Sequence, residues 1–295
     1  MSQTTLAFPT VEEEIWRYSR IGELQLDRFA AGTTTVTIEN ADGVQVQGSD
    51  ATSLVGSGMR SHPDIFAQLN TEHGAVIALH IGKGKVHPST VVITHTLSQS
   101  GIVAYPRLVI KADENSEITV VERFVSPDGT DSLIVPVAEV HAAQSARVTY
   151  IAINELGNKT WKIAHQQSLG ERDSTTRLFT VALGGDYARV RTEARLVGIG
   201  ATTQQVALYF ADKTQMHDFR TLQTHIAPRT SSDLLFKGAV QDTAKSVYTG
   251  LIRIEHEAHG SQAYQTNRNL TLSHGAWAES VPNLEIETND VKCSH

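Results

Sequence analysis

The sequence predicts an all-β protein, a solenoid of stacked strand coils, preceded by a small N-terminal segment with helical turns. Strand-like runs begin near Glu117, Ala146, Thr176, Gln204, Ser232 and Gln262, spaced by 28 to 30 residues. A companion series precedes them at nearly the same spacing: Leu108-Val109-Ile110, Val137 to Val140, Trp161-Lys162-Ile163, Arg195-Leu196-Val197, Thr221-Leu222-Gln223, Leu251 to Ile254 and Leu284-Glu285-Ile286. Nothing between the units carries a helical apolar period, so the crossover helices of a βαβ fold are excluded.

The elements follow in chain order. Thr10 is a candidate N-cap for a helix through Glu12-Glu13-Glu14-Ile15-Trp16-Arg17-Tyr18, with its carboxylates at the positive end of the helix dipole. Short alternating runs, Thr35 to Glu39 and Val44 to Gln47, are bounded by Gly, Asn and Asp that supply turns. A second helix is expected from Pro63 to Asn70, with Ile65, Phe66 and Leu69 on one stripe. From residue 107 the two-strand repeat takes over, its runs joined in several units by small polar corners such as Ala112 to Ser116 and Ala142 to Ser145. Each repeat reads as one coil that pairs with the coils above and below and buries a shared apolar axis. A β-sandwich, with strands about every 8 to 12 residues, does not usually keep a two-strand period over six units. The expected division is residues 1–75 as the N-terminal segment and 76–295 as the solenoid core.

Composition narrows the function. The 295 residues carry 25 Lys+Arg against 32 Asp+Glu, a net charge of −7, with 40% hydrophobic and 6% aromatic residues. That supports a sizeable core but neither a phosphate-tracking groove nor a base-stacking platform, so nucleic acid is not an expected partner. No apolar stretch approaches a membrane span, and Met1 to Thr10 lacks a charged region followed by an apolar block, so a cytoplasmic protein without membrane contact is expected. One cysteine rules out an internal disulfide and an all-thiolate cluster held by this chain alone.

Several enzyme signatures fail. Gly82-Lys83-Gly84-Lys85 lacks the spacing and following hydroxyl of a phosphate loop and reads as a turn. His256-Glu257-Ala258-His259 is one residue short of a zinc-protease motif and reads as a solvated corner. Gly198-Ile199-Gly200 has no third glycine and no following helix. His217-Asp218 and His225 could lie at a metal-transfer or partner face, and polar surface is the preferred reading. The sequence closes on Lys292-Cys293-Ser294-His295, which sets the only thiol two positions from an imidazole. On a strand those two side chains share a face, and both suit iron, zinc or copper. Two ligands hold a metal or cluster only in part, so a site here needs a second chain. Chemistry alone leaves a second role open, a half-buried cysteine acting as a small hydrophobe beside a surface histidine.

The run Gln265, Asn267-Arg268-Asn269-Leu270, Leu272-Ser273, Ala276, Pro282, Leu284-Glu285-Ile286 and Asp290 to His295 resembles the SufB/SufD scaffold family of iron–sulfur cluster assembly, and within it the SufD branch. Phe236-Lys237-Gly238, Tyr248, Gly250, His225 to Ser231, Phe66, Leu69-Asn70, Gly74 and Glu13 to Tyr18 are similar in order, so the resemblance covers nearly the whole chain. It implies a right-handed parallel β-helix and a non-catalytic scaffold that pairs with SufB through the β-helix. The ATPase activity would belong to SufC, bound through a carboxy-terminal helical domain that this sequence is expected to lack. An iron–sulfur cluster would be assembled transiently at the SufB interface, with His295 as partial ligand and Cys293 beside it. An isolated chain is expected to pair with itself through its uncapped end. The alternatives are a SufB-like subunit and a β-helix enzyme acting on polysaccharide. The latter should show a ladder of acidic and basic residues, and none is seen.

Overall fold

A computed structural model describes residues 6–59 and 61–295; Met1 to Thr5, part of the stretch read above for a leader, lie outside them. The chain forms a parallel β-solenoid of about eight coils. One sheet carries Ala75–Ile81, Pro106–Ala112, Val137–Ala142, Trp161–Gly170, Tyr187–Leu196, Met216–His225, Lys245–Ile254 and Trp277–Ile286. The second carries Val91–Thr96, Glu117–Val125, Arg147–Glu155, Thr175–Ala182, Thr202–Ala211, Ser231–Val240, Ser261–Thr271 and Val291–Ser294. Each coil gives one strand to each sheet. The repeat is therefore structural, although coil length varies: Trp161 pairs with Tyr187, whereas Lys245 pairs with Trp277. The first coil, Ala75–Ile81 with Val91–Thr96, lies before the point where the sequence period becomes visible.

Strand alternation builds the core. In Glu117–Val125 the residues Ile118, Val120, Glu122 and Phe124 are buried while their neighbours are half-exposed. This is the period-2 signature of one covered face. The inward columns of the early coils form an aliphatic cluster including Leu79, Ile110, Ile118, Val120 and Val148. Corners between the two sheets stack as a ladder of positive-φ residues, namely Asn115, Ser145, Asp173, Gly200, Arg229 and Gly260. The amide of each bonds a carbonyl in the next corner, as from Ser145 to Arg172 at 2.8 Å and from Arg229 to His259 at 2.9 Å. The corner backbone is thereby satisfied between coils.

The N-terminal segment does two things. Thr35–Glu39 runs antiparallel to Val91–Thr96 and Gln45–Val46 antiparallel to Ala75–Ile81, occupying the first edge of both sheets. That blunts an edge that would otherwise template association. Residues Trp16, Ile21, Leu24, Phe29, Ile65 and Phe66 meanwhile pack on the outer face of the first sheet, against Val135, Trp161, Tyr187, Met216 and Val247. The helix expected at Pro63 to Asn70 runs Ile65–His73, capped by Asp64 Oδ1, which accepts from the amides of Phe66 at 3.0 Å and Ala67 at 3.1 Å.

The helix expected from Thr10 is instead a single 3₁₀ turn, Glu14–Trp16. Tertiary contacts explain the difference. Arg189 Nη2 donates to Ile15 O at 2.7 Å, its guanidinium lies 3.8 Å from the Trp16 ring centroid, and Ser19 N bonds Trp16 O three residues back. Burial of Trp16 holds the chain in tight turns that local propensity would not choose.

The rejected enzyme motifs are all turns. Gly82 to Lys85 turns at Gly84, with Lys83 paired to Glu114 across coils. His256, Glu257 and His259 are exposed around a buried Ala258. Gly198 to Gly200 is one rung of the corner ladder.

Candidate functional site

The last two strands, Trp277–Ile286 and Val291–Ser294, pair on one side only with described residues. Val291–Ser294 alternates half-buried and exposed, and Cys293 is on the inward side, in register with Ala263. It packs against the cluster of Ile252, Ile254, Ala258 and Ala263 together with Leu284 and Val291. Burial pushes the Cys293 thiol above its ordinary pKa, partly opposed by a backbone hydrogen bond at Ala263. The thiol form is therefore favoured until a cation or partner charge lowers it.

His295 is exposed and lies two residues further along the same face. It lines a cavity of about 300 Å³ with Tyr248, Gln265, Asn267, Ser280 and Pro282. Polar side chains in its wall are tied together. Tyr248 donates to Gln265 Oε1 at 2.8 Å, and Gln265 Nε2 donates to Asn283 O at 3.1 Å. Ser280 Oγ and Asn269 Nδ2 both donate to Asn267 Oδ1, at 2.5 and 2.7 Å. Asn267 in turn donates to Tyr209 Oη at 3.0 Å, and Tyr209 donates to Asn269 Oδ1. Burial raises the pKa of both tyrosines, which stay neutral. Two glycines allow this packing. A Cβ at residue 238 would sit 1.9 Å from the Tyr209 ring, and one at residue 250 would sit 2.1 Å from Tyr248 Oη.

Cys293 and His295 thus share the last described coil, one packed and one exposed. Among the described residues no group of three His, Cys, Asp or Glu side chains is placed to hold a metal ion. A cluster at this end would need donors from outside the described chain.

The structure corrects the reading of His217, Asp218 and His225, which are fully buried. His217 donates from Nε2 to Phe210 O at 3.1 Å, and burial brings its pKa down to about 4. His225 bonds Thr230 Oγ1 at 2.7 Å and Ser232 Oγ at 2.8 Å, and burial likewise brings it to about 4. Asp218 faces the other way, accepting from Tyr187, Arg189 and Arg220 beneath the N-terminal segment.

Sequence reasoning also missed a charged group inside the solenoid. Glu122 accepts from Tyr150 and meets His95 Nε2 at 3.0 Å, while Lys162 Nζ lies 3.9 Å from the Phe124 ring centroid. Burial lowers the Lys162 pKa to about 7, with Glu122 opposing. The signal was available for Glu122, which alternates with Ile118, Val120 and Phe124, whereas Trp161–Gly170 is buried throughout and carries Gln166 and Ser168 on the same face as Lys162.

The fold and these residues define a parallel β-solenoid whose last described coil carries a thiol and an imidazole. Comparison with known proteins agrees. Residues 95–295 match the family model described as the SufBD core domain of SUF-system FeS cluster assembly. The chain is 32% identical over 297 residues to an iron–sulfur cluster assembly SufBD family protein of Mycobacterium tuberculosis, covering 96% of this chain and 73% of that protein. A Mycobacterium leprae family member is 29% identical, with 96% and 74% covered. The iron–sulfur cluster assembly protein SufD of Escherichia coli is 28% identical, with 97% and 75% covered. The chain belongs to the SufBD family of iron–sulfur cluster assembly proteins.

Proposed function

We propose that the chain is a SufD-like, non-catalytic scaffold subunit that acts in the cytoplasm. It pairs with SufB through the C-terminal end of the solenoid and forms with it the surface on which a cluster is assembled. The observation that supports this reading is the position of Cys293 and His295 in the last described coil, beside a cavity of about 300 Å³. In this reading a second chain, SufB, meets the solenoid by strand pairing. Ligand counting then requires that chain to complete the site, with the cluster as cargo rather than resident cofactor. SufC would supply ATP hydrolysis to the assembly, since no phosphate loop is found in this sequence.

Co-expression of the tagged chain with SufB and SufC, followed by affinity purification, tests the reading. SufB should be retained, and iron and acid-labile sulfide should appear only when it is present. Failure to retain SufB would overturn the pairing, and retention of SufD in its place would assign the chain to the SufB-like branch.

A further inference from the structure

The two sheets of the solenoid differ in what lies on their outer faces. Trp16, Ile21, Phe66 and their neighbours cover the first, against Trp161, Tyr187 and Val247. The second carries outward apolar rows of its own that stay uncovered. Ile151, Phe179, Val206 and Leu235 pair across adjacent strands as one row, and Ile153, Val181 and Leu208 as the next. Leu208 is 59% exposed and Phe210, one row further along its strand, 37%; the other members of the two rows are half-buried. Single exposed apolar residues are ordinary, whereas a contiguous field of them marks an interaction surface.

The charges of this face show which partner fits. Its ion pairs are Arg123 with Glu155, at 2.7 Å, and Arg147 with Glu117, at 3.9 Å; among the described residues Arg177 and Asp233 belong to none. Arg177 is half-exposed and Asp233 exposed, and both pair in register with Gln204, from opposite sides. They therefore stand in one row, one strand to either side of Thr202–Ala211. A two-fold axis lying along that strand, in the plane of the face, brings Arg177 of each copy opposite Asp233 of the other. The same operation sets Phe179 opposite Leu235, and Val206 and Leu208 opposite their own counterparts. Lys237 falls opposite Val181, where its aliphatic stem covers apolar surface. Self-complementarity of this kind is what a two-fold interface requires.

We propose that the outer face of the second sheet is a self-association surface, on which a second copy of this chain packs face to face about a two-fold axis along Thr202–Ala211. Sheets stacked in this way lie about 10 Å apart, so outward side chains of the two copies interdigitate. Five strands about 4.8 Å apart and four outward rows about 6.6 Å apart make a field of about 600 Å² on each copy. Two copies then bury about 1,200 Å², the low end of specific interfaces, and association in the micromolar range is expected. The surface is the flank of the solenoid, so it leaves the last described coil free for the strand pairing proposed above.

Sedimentation velocity of the chain across the micromolar range reads its assembly, with circular dichroism of each variant to show that it folds. The expected result is a concentration-dependent dimer that Leu208→Asp weakens about tenfold or more, because it sets two carboxylates against each other at the axis. Arg177→Asp and Asp233→Arg should each weaken it about tenfold, since two-fold symmetry applies each reversal twice. The double variant Arg177→Asp, Asp233→Arg should return it to within about threefold of the unaltered chain. The charge reversals decide the matter should Leu208→Asp fail to fold. A monomer at every concentration would overturn the surface. A dimer indifferent to Leu208→Asp and to both reversals would place the interface elsewhere and overturn it too, as would a double variant no tighter than the single ones.

Discussion

Tyr248 on the first sheet donates its hydroxyl to Gln265 on the second across 2.8 Å, and Gly250 leaves the space in which they meet. A methyl group there would lie 2.1 Å from Tyr248 Oη and 2.2 Å from Gln265 Oε1, so Gly250→Ala must push the pair apart. Overpacking together with a lost buried hydrogen bond should cost about 2–4 kcal/mol. The same substitution at Gly22, where a Cβ meets nothing within 4 Å, should change stability by no more than about 0.5 kcal/mol. Urea-unfolding midpoints of the two variants check the contrast; equal midpoints would refute this account of the cavity wall.

The buried pair Arg107 and Glu139 fastens the N-terminal segment to the solenoid. Arg107 Nε donates to Glu139 Oε1 at 2.9 Å, and its Nη1 donates to Asn70 Oδ1 at 3.0 Å. Glu139 Oε2 accepts from the amides of Gly56, Gly58 and Met59 at 2.8, 3.2 and 3.1 Å. Glu139→Gln would aim an amide N–H at donors or strand the Arg107 charge, and removing one partner of a buried pair costs about 3–5 kcal/mol. The double variant Arg107→Met, Glu139→Leu should lose less than the sum of the single changes. Strict additivity of the unfolding free energies would show that the two side chains act separately.

The buried histidines set a pH window. His217 and His225 are held near 4 in the folded chain, against about 6.5 when unfolded. Above 6.5 neither state is protonated and their contribution is complete. As pH falls from 6.5 toward 4, the unfolded chain binds protons that the folded chain refuses, so stability is lost through that interval and levels off below it. At pH 5 the loss should be about 2 kcal/mol per histidine. His217→Gln and His225→Gln should each flatten the difference between midpoints measured near pH 7.5 and pH 5. A slope that stays the same in both would mean that other groups govern acid unfolding.

Much of this was legible in the residues. The two-strand period appears because every coil must present an inward alternating run at the same place, as Val148, Tyr150 and Ala152 do opposite Ile118, Val120 and Glu122. The Ile65–His73 helix was legible because its apolar stripe is local. What escaped depended on cover from elsewhere. Asp218 faces outward from its strand and would be surface on a bare solenoid, but Trp16, Ile21 and their neighbours lie over that sheet. His217 and His225 face inward, where small neighbours such as Ala188, Gly238 and Ala263 leave room for polar side chains. At the candidate site the motif was legible but not the split between its members, because strand spacing puts Cys293 and His295 on one face without saying where the core ends.

That split separates the two side chains experimentally. Cys293 is packed among Ile252, Ile254, Ala263 and Leu284, so Cys293→Ala should lower stability by about 1 kcal/mol. His295 is exposed, and His295→Ala should leave the unfolding midpoint within about 0.5 kcal/mol of the original. Under the proposed scaffold role the order reverses for cargo. His295→Ala should reduce the iron and acid-labile sulfide recovered in a complex with SufB while leaving SufB bound, because the imidazole is exposed beside the cavity and burial raises the pKa of the thiol. Cys293→Ala should reduce the recovered iron less than His295→Ala does. Iron and sulfide assays on the purified complexes, beside circular dichroism of each variant, separate ligation from folding. Unaltered cluster content in His295→Ala would remove that residue from the site, and a larger loss in Cys293→Ala would transfer the role to the thiol.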